Sequence, residues 1–346
     1  MPLKRILLLA ALGAALALPL AGCGGGGSDD TAAAGPPSQQ IKTLFGTMPR
    51  EMTSPDNPIT PEKVKLGRML YYEDRLSASG DISCNSCHIL DEFGVDGNAT
   101  SPGHDGTLGA RNSPTVYNAA LQVAQFWDGR AANVEEQAKG PLLNPIEHGL
   151  KDEAELVAIL KGIPGYAPLF AAAFPGEEDP ITLDNVAKAI GAFERKLVTR
   201  GRWDRWLLGD GTALTVKERR GVETFMEVGC TTCHMGPNVG GSLFQKLGLV
   251  EPYPTDDLGR YEVTKNEQDK YVFKVPLLRN VAETGPYMHD GSVDSLRTVV
   301  TLMAKHQLGK TLTPQQTDDI LAFLEALTGK IPADYIAEPE RPAGGS

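Results

Sequence analysis

The sequence predicts an all-α protein of two helical units with one small β-hairpin. Three observations carry that expectation. Apolar residues recur at helical spacing in both halves of the chain. Aromatics are few, at 6%, while 38 Gly and 25 Pro fit many turns between short helices better than a large sheet. A Cys-x-x-Cys-His motif occurs once in each half, at Cys84–His88 and at Cys230–His234. The length of 346 residues suits two modest domains, and 41% hydrophobic content gives each a core.

The N-terminus reads as a targeting segment over residues 1–22. Lys4 and Arg5 precede an Ala/Leu run from Ile6 to Leu20 that is short for a permanent membrane helix. Leu20-Ala21-Gly22-Cys23 then resembles a bacterial lipobox, in which Cys23 is acylated and becomes the first residue. Residues 23–43 are small, polar and rich in Gly, Ser and Pro, as a flexible tether would be. More than one acyl chain anchors stably. Gly24 after the Cys points to the outer membrane of a Gram-negative host, with the folded part on the periplasmic side.

Thr60-Pro61 starts a helix with Val64, Leu66, Met69 and Leu70 on its apolar face. Another begins near Thr182, with Val186, Ile190, Phe193 and Leu197 inward, and runs to about Trp206. Leu208-Gly-Asp-Gly211 breaks it. Thr215-Val-Lys-Glu218 is a capping box that opens the helix leading to Cys230. Leu296, Val299, Val300 and Met303 form a further stripe. Thr313-Pro-Gln-Gln316 starts the last helix, with Ile320, Phe323, Leu324 and Leu327 inward and Gly329 beyond its end. A hairpin is expected around Tyr261–Val275, turning at Asn266–Asp269. The boundary falls near residues 200–212, which gives domains 44–203 and 204–346, the tail packing back on the first. Each has its motif in its first half, as a pair of cytochrome c folds would.

Cys-x-x-Cys-His is the attachment signature of c-type haem. The two thiols, Cys84 and Cys87 or Cys230 and Cys233, bond the two vinyl groups. The adjacent His88 or His234 becomes the proximal iron ligand. A Cys₄ zinc site and a thioredoxin-like redox pair fit less well. The two pairs are far apart, each is followed by His, the chain carries an export signal, and no βαβ pattern surrounds them. With Cys23 in the lipobox, none of the five cysteines remains for a disulfide. Sixth-ligand candidates are His104, His148, His289, His306 and the methionines. His306 reads as polar helix surface.

The net charge of −11 falls to −13 once Lys4 and Arg5 leave with the first 22 residues. That excludes a general nucleic-acid binder, which needs a basic face. The acidity serves solubility or attraction to a basic partner.

The chain resembles the bacterial dihaem cytochrome c peroxidases from roughly Leu44 to Gly329. The matching stretches include Leu66–Tyr71, Cys84–His88, Arg111–Thr115, Phe126-Trp-Asp-Gly-Arg130 and Gln137–Pro141. The second half adds Gly229–His234, Lys274-Val-Pro-Leu-Leu-Arg-Asn280 and Gly285–Gly291. The resemblance implies an N-terminal peroxidatic haem on Cys84, Cys87 and His88, with His104 as sixth ligand at rest. It implies a C-terminal electron-transfer haem on Cys230, Cys233 and His234, with Met303 as sixth ligand. Trp127 matches the aromatic residue between the haems, and Glu147 and Gln137 match the peroxide pocket. Asn112 and the carbonyls of Thr284 and Pro286 match a calcium site, whose hard oxygens suit that ion. His289 matches a residue near the haem–haem region.

Unaided, His104 is a His in a Gly-rich loop, Met303 and Trp127 are core residues, and Glu147 is a helix-end charge. One departure concerns His148, where the family usually has Met. A wall residue, a second base and an alternative ligand to the first iron are the three readings of it.

The activity implied is reduction of hydrogen peroxide to water with electrons from a small cytochrome c or cupredoxin. A homodimer is compatible with it. A pure electron-transfer cytochrome would keep His104 bound and leave Glu147 idle. A protein-modifying relative, like the enzyme that matures the tryptophan cofactor of methylamine dehydrogenase, has Tyr where this chain has Met303.

Overall fold

A computed structural model describes residues 35–343. The signal-like segment, the lipobox with Cys23 and the tether up to residue 34 lie outside the described residues. The packed body starts earlier than Leu44. Ser38 caps α1 (Gln39–Phe45) by accepting from the Ile41 amide at 3.3 Å, and the helix buries Ile41 and Phe45. Residues 39–43 are thus a helix, where the composition reads as tether.

The first core is a crossing of helices. α2 (Pro61–Tyr71) begins at Thr60-Pro61, where the Thr60 hydroxyl accepts from the Lys63 amide at 3.2 Å. The chain continues through α3 (Cys84–Cys87), α4 (Val134–Leu143), α5 (Glu153–Lys161), α6 (Tyr166–Ala173) and α7 (Leu183–Glu194). α2 and α4 both pack on α7. A Cβ at Gly67 would stand 1.8 Å from the Ala189 carbonyl, so α2 and α7 meet this closely only because position 67 is glycine. Leu66, Leu70, Tyr71, Val186, Ile190 and Phe193 fill the contact.

The expected long helix ends at Glu194 instead of running to Trp206. Arg195–Val198 turn, β1 (Arg200–Gly201) follows, and α8 (Arg202–Leu207) is separate. Thr199 is the reason: it sits in a buried polar knot, donating its amide to Asn118 Oδ1 at 3.0 Å and accepting at Oγ1 from Asn118 and Asn280.

The second core repeats the first. α9 (Val216–Val228) carries the capping box, with Thr215 and Glu218 bonded at 2.8 and 3.2 Å. Further along come β2 (Phe244–Lys246), α10 (Tyr261–Thr264), β3 (Val272–Lys274), α11 (Leu296–Leu308), α12 (Pro314–Ala326), β4 (Gly329–Lys330) and α13 (Ala333–Ile336). α9 crosses α12, and a Cβ at Gly221 would lie 2.0 Å from the Asp319 carbonyl. Trp203, Val222, Phe225 and Phe323 pack there, with Phe45 of α1 edge-on to Trp203 at 5.3 Å.

The chain ends cross over. α1 joins the second core, and Ile336 of α13 joins the first. Tyr72 and Arg68 of the first half bond to the carbonyls of Ile336 and Tyr335 at 2.6 and 3.1 Å. β1 pairs with β4, antiparallel.

The expected hairpin over Tyr261–Val275 does not form. Tyr261–Thr264 is helical, and Asn266 caps a 3₁₀ turn by accepting from Gln268. Val272–Lys274 pairs instead with Phe244–Lys246. The mostly helical reading holds, with two small two-stranded sheets in place of one hairpin.

Candidate haem sites

In the second half, α9 ends on Gly229 in the left-handed region, and the turn Cys230–Thr232 follows at once. Cys230, Cys233 and His234 face a large apolar cavity. His234 Nδ1 lies 3.3 Å from the Val239 carbonyl. That bond fixes the tautomer and leaves Nε2 free to ligate, the usual arrangement of a metal-bound histidine. Burial pushes its pKa down to about 4, so the ring is neutral, as a ligand must be. A Cβ at Gly240 would come within 3.0 Å of that same Nδ1.

The α11 stripe lines the same cavity. Leu296, Val299, Val300 and Met303 all border it and none is fully buried. An apolar helix face turned to an apolar cavity suits an apolar group as a core would. Phe225, Leu277, Tyr287 and Leu324 complete the walls. The lining therefore fits a haem: His234, Met303, Cys230 and Cys233 all border one apolar cavity and supply the donor types that such a group would need. His306, expected on the surface, is buried, with Nδ1 3.0 Å from the Glu251 carbonyl. Its partner lies 55 residues away, beyond any periodicity.

In the first half, the short α3 presents Cys84 and Cys87, and His88 follows. Ser83 and Ser86 cap it reciprocally. His88 Nδ1 is buried with no hydrogen-bond partner, and burial lowers its pKa. Cys87 Sγ lies 4.0 Å from the Pro102 carbonyl, which sets the His104 loop beside the motif. His104 donates its amide to the Glu147 carbonyl at 2.9 Å, and its Nε2 lies 3.1 Å from the Pro145 carbonyl. His104 and Glu147 thus share one loop pair.

Burial raises the Glu147 pKa, against the opposing pull of Arg130 and of Asn144, whose amide donates to Oε1 at 2.6 Å. His148 is buried and held through Nδ1, 2.7 Å from the Leu76 carbonyl. Burial lowers its pKa, and it feels the charge of both His88 and His104. Gln137 sits half-buried on α4. Burial pushes all four thiols up, Cys87 to about 11 and Cys230 to about 12, which keeps them protonated. Among the described residues no three His, Cys, Asp or Glu side chains converge as a metal cluster.

Trp127 lies between the halves. Its indole donates to the Asn112 carbonyl at 2.9 Å, its own carbonyl accepts from the Lys274 amide at 2.8 Å, and it borders the second cavity. Its neighbours brace it. Asp128 pairs with Arg111 at 2.6 Å, and Arg111 also grips Asp257. Arg130 stacks on Phe126 at 3.4 Å. Asn112, Thr284, Pro286 and His289 border the same cavity. His289 Nε2 is 3.1 Å from Thr255 Oγ1, and its carbonyl accepts the Asn112 amide. Arg130, Asn144 and Lys274 are site residues without a role in the sequence reading. Arg130 and Lys274 stand inside quoted motifs, so the signal was present without a chemistry attached.

One helical body thus carries two Cys-x-x-Cys-His motifs, the second of them facing an apolar cavity. The model of the di-haem cytochrome c peroxidase domain matches residues 61–212. The cytochrome c551 peroxidase of Pseudomonas aeruginosa is 43% identical over 301 residues, 85% of this chain and 86% of that protein. That of Nitrosomonas europaea is 45% identical over 289 residues, 82% of this chain and 85% of the other. The crystal structure of a MauG-like protein associated with microbial copper homeostasis superposes with a TM-score of 0.75 at 31% identity, covering 86% of this chain and 99% of that one. The chain belongs to the di-haem cytochrome c peroxidase family. It is a peroxidase with two haem groups.

Proposed function

We propose that the chain reduces hydrogen peroxide to water with electrons that a small cytochrome c or cupredoxin delivers to the Met303 site. The overall change is H₂O₂ plus two electrons and two protons to two waters. Each bound haem supplies an iron that stores one electron and, at the first site, a place for peroxide. Cys84, Cys87 and His88 hold the first, and Cys230, Cys233, His234 and Met303 hold the second, all attached covalently through the cysteines. A Met ligand raises a haem's potential and a second His keeps it low, so the Met303 site receives electrons from the donor.

His104 would be the residue that closes the first site at rest and would have to leave it to admit peroxide. The Pro145 carbonyl at 3.1 Å offers its ring an acceptor away from the iron. Glu147 moves a proton from the inner to the outer oxygen of peroxide, as a carboxyl in a partly dry pocket can. Asn144 orients Glu147, and Gln137 orients the peroxide or a water. Trp127, fixed through its indole to Asn112, carries electrons between the sites. The observation that carries this reading is the coupling of His104 to Glu147 through the 2.9 Å amide bond, which joins the gate to the acid.

Asn112 donates Nδ2 to the carbonyls of Asn98 and Ala99, at 3.1 and 3.3 Å, which leaves Oδ1 available, and it borders the cavity together with Thr284 and Pro286. These oxygens are the proposed calcium ligands. Lipid anchoring through Cys23 to the periplasmic face of the outer membrane completes the reading. The deciding experiment is peroxide turnover by half-reduced protein, with electron spin resonance to follow His104. A half-reduced enzyme that stays six-coordinate at the first iron and turns over no peroxide overturns it.

A further inference from the structure

Among the described residues three cations are buried below a tenth exposed: Arg195, Arg279 and Lys274. Two have carboxylates. Arg195 grips Glu135 at 2.7 and 2.8 Å, and Arg279 grips Asp204 at 2.8 and 2.9 Å. Lys274 is 5% exposed and its Nζ has only the side-chain oxygen of Gln122 as acceptor. Burial with no charged neighbour to offset it lowers its pKa to about 8. An unpaired buried ammonium is costly, and proteins supply an anion or shed the proton.

The place of Lys274 says where the anion comes from. Lys274 and Gln122 both border the second haem cavity, and the other lining residues include neither Arg, Asp nor Glu. β3 holds Lys274 rigidly. Its amide donates to the Trp127 carbonyl at 2.8 Å, and the strand pairs with β2. Gln122 is held too, because Val123 and Val275 both bond to Gly241, at 2.8 and 3.0 Å. The cation is therefore built into the cavity wall beside the residue that bridges the two sites. Haem is an apolar ring with two carboxylates on one edge. We propose that Lys274 is the counter-cation of a haem carboxylate in the second site, and that its charge raises the reduction potential of the Met303-ligated haem.

This inference rests on the two-haem reading. A positive charge near the iron favours the reduced state, which carries one positive charge fewer. Lys274 therefore acts on electron entry and belongs to the positioning residues. Its backbone amide also bonds to the Trp127 carbonyl, so the two residues move together.

The test is spectroelectrochemical titration of the second haem in the holoprotein, with redox-difference infrared spectra. Lys274→Met is expected to lower the equilibrium constant for reduction by on the order of tenfold, the effect of one charge roughly 12 Å from the iron at an effective dielectric of about 20. The carboxylate stretching bands should shift as the still ionised carboxylate loses its ammonium partner. Lys274→Arg should restore the wild-type potential. Gln122→Leu, which keeps the charge, should leave both potential and bands unchanged.

An unchanged potential in Lys274→Met overturns the proposal. So does a Gln122→Leu variant that falls as far as Lys274→Met, because Lys274 would then be only a strut for Gln122. If Lys274→Met does not accumulate, Lys274→Gln, which removes the charge and keeps the length and a hydrogen-bond donor, takes its place with the same two outcomes. A pyridine haemochrome assay on the same samples separates the two levels. Two haems per chain with no shift sinks the Lys274 assignment alone, whereas one haem in the wild type sinks the site reading and this inference together.

Discussion

His148 holds the carbonyl of Leu76 through its Nδ1 at 2.7 Å, deep in the wall of the first site. The bond spans 72 residues and ties the turn after α4 to the loop after α2. The bond occupies Nδ1 and leaves Nε2 free, so it is shared by the wall and ligand readings, and the wall reading is the one tested first. His148→Met removes the donor and leaves the buried Leu76 carbonyl unsatisfied, which costs about 1–3 kcal/mol. Urea unfolding should show that loss, while the oxidised electron spin resonance spectrum stays as in the wild type. A His104→Ala protein that remains six-coordinate until His148 is also removed would restore the ligand reading.

Arg279 and Asp204 form a bidentate pair whose side chains are 1% and 2% exposed. Arg279 also donates Nε to the Pro237 carbonyl at 2.8 Å, close behind His234. Arg279→Met strands a buried carboxylate and should destabilise by about 3–5 kcal/mol. The double variant Arg279→Met with Asp204→Leu should lose much less, since both charges go together. Equal losses in single and double variants would show that the pair matters only for its shape.

Local signals in the sequence were legible wherever their physics is local. Thr215 with Glu218, and Thr313 with Gln316, cap their helices because both partners lie within one turn. The Leu296–Met303 stripe could be read from its spacing, and only its target changed, from a core to a cavity. What stayed hidden depends on distant partners. Asn266–Asp269 has turn chemistry, but the strand beyond it found Phe244–Lys246. α1 looked like tether because the Trp203 ring that receives Phe45 lies far along the chain. Lys274 and Gln122 are 152 residues apart. Trp127 and Met303 acquired roles through the family resemblance, since a core residue and a site residue look alike in an apolar pattern.

Met303 borders the cavity that His234 faces, on the half-buried side of α11. Met303→His should lower the second haem's potential and abolish the sulfur-to-iron absorption at the red end of the spectrum. Turnover should fall with donors that reduce the wild type, and recover in part with a stronger reductant. An unaltered red band would assign the ligand elsewhere on the cavity wall.

The lipobox reading makes a fractionation prediction. The wild-type protein should sediment with membranes, and Cys23→Ser should be released or remain unprocessed. Wild-type protein found free, with an unmodified N-terminus, removes the anchor.

Glu147 carries the most direct chemical prediction. Its carboxyl pKa is raised by burial, with Arg130 and Asn144 pulling the other way. If the ionised form accepts the first proton from peroxide, turnover should rise with pH through that raised value, so the acid limb lies higher than it would for an exposed glutamate. The stability linkage has the opposite sense. A raised folded pKa contributes stability that is present below the unfolded value and is lost as pH climbs through the folded one. Glu147→Gln keeps the shape and removes the base. Turnover should fall by roughly 10²–10⁴-fold, both haems should stay attached and reducible, and the acid limb should vanish. Asn144→Ala should act more mildly, because it frees the carboxyl without removing it: the acid limb should move up, since Asn144 favours the ionised form. A Glu147→Gln enzyme with wild-type turnover and an intact acid limb would move the proton chemistry to another group in the pocket, with His148 the first to examine.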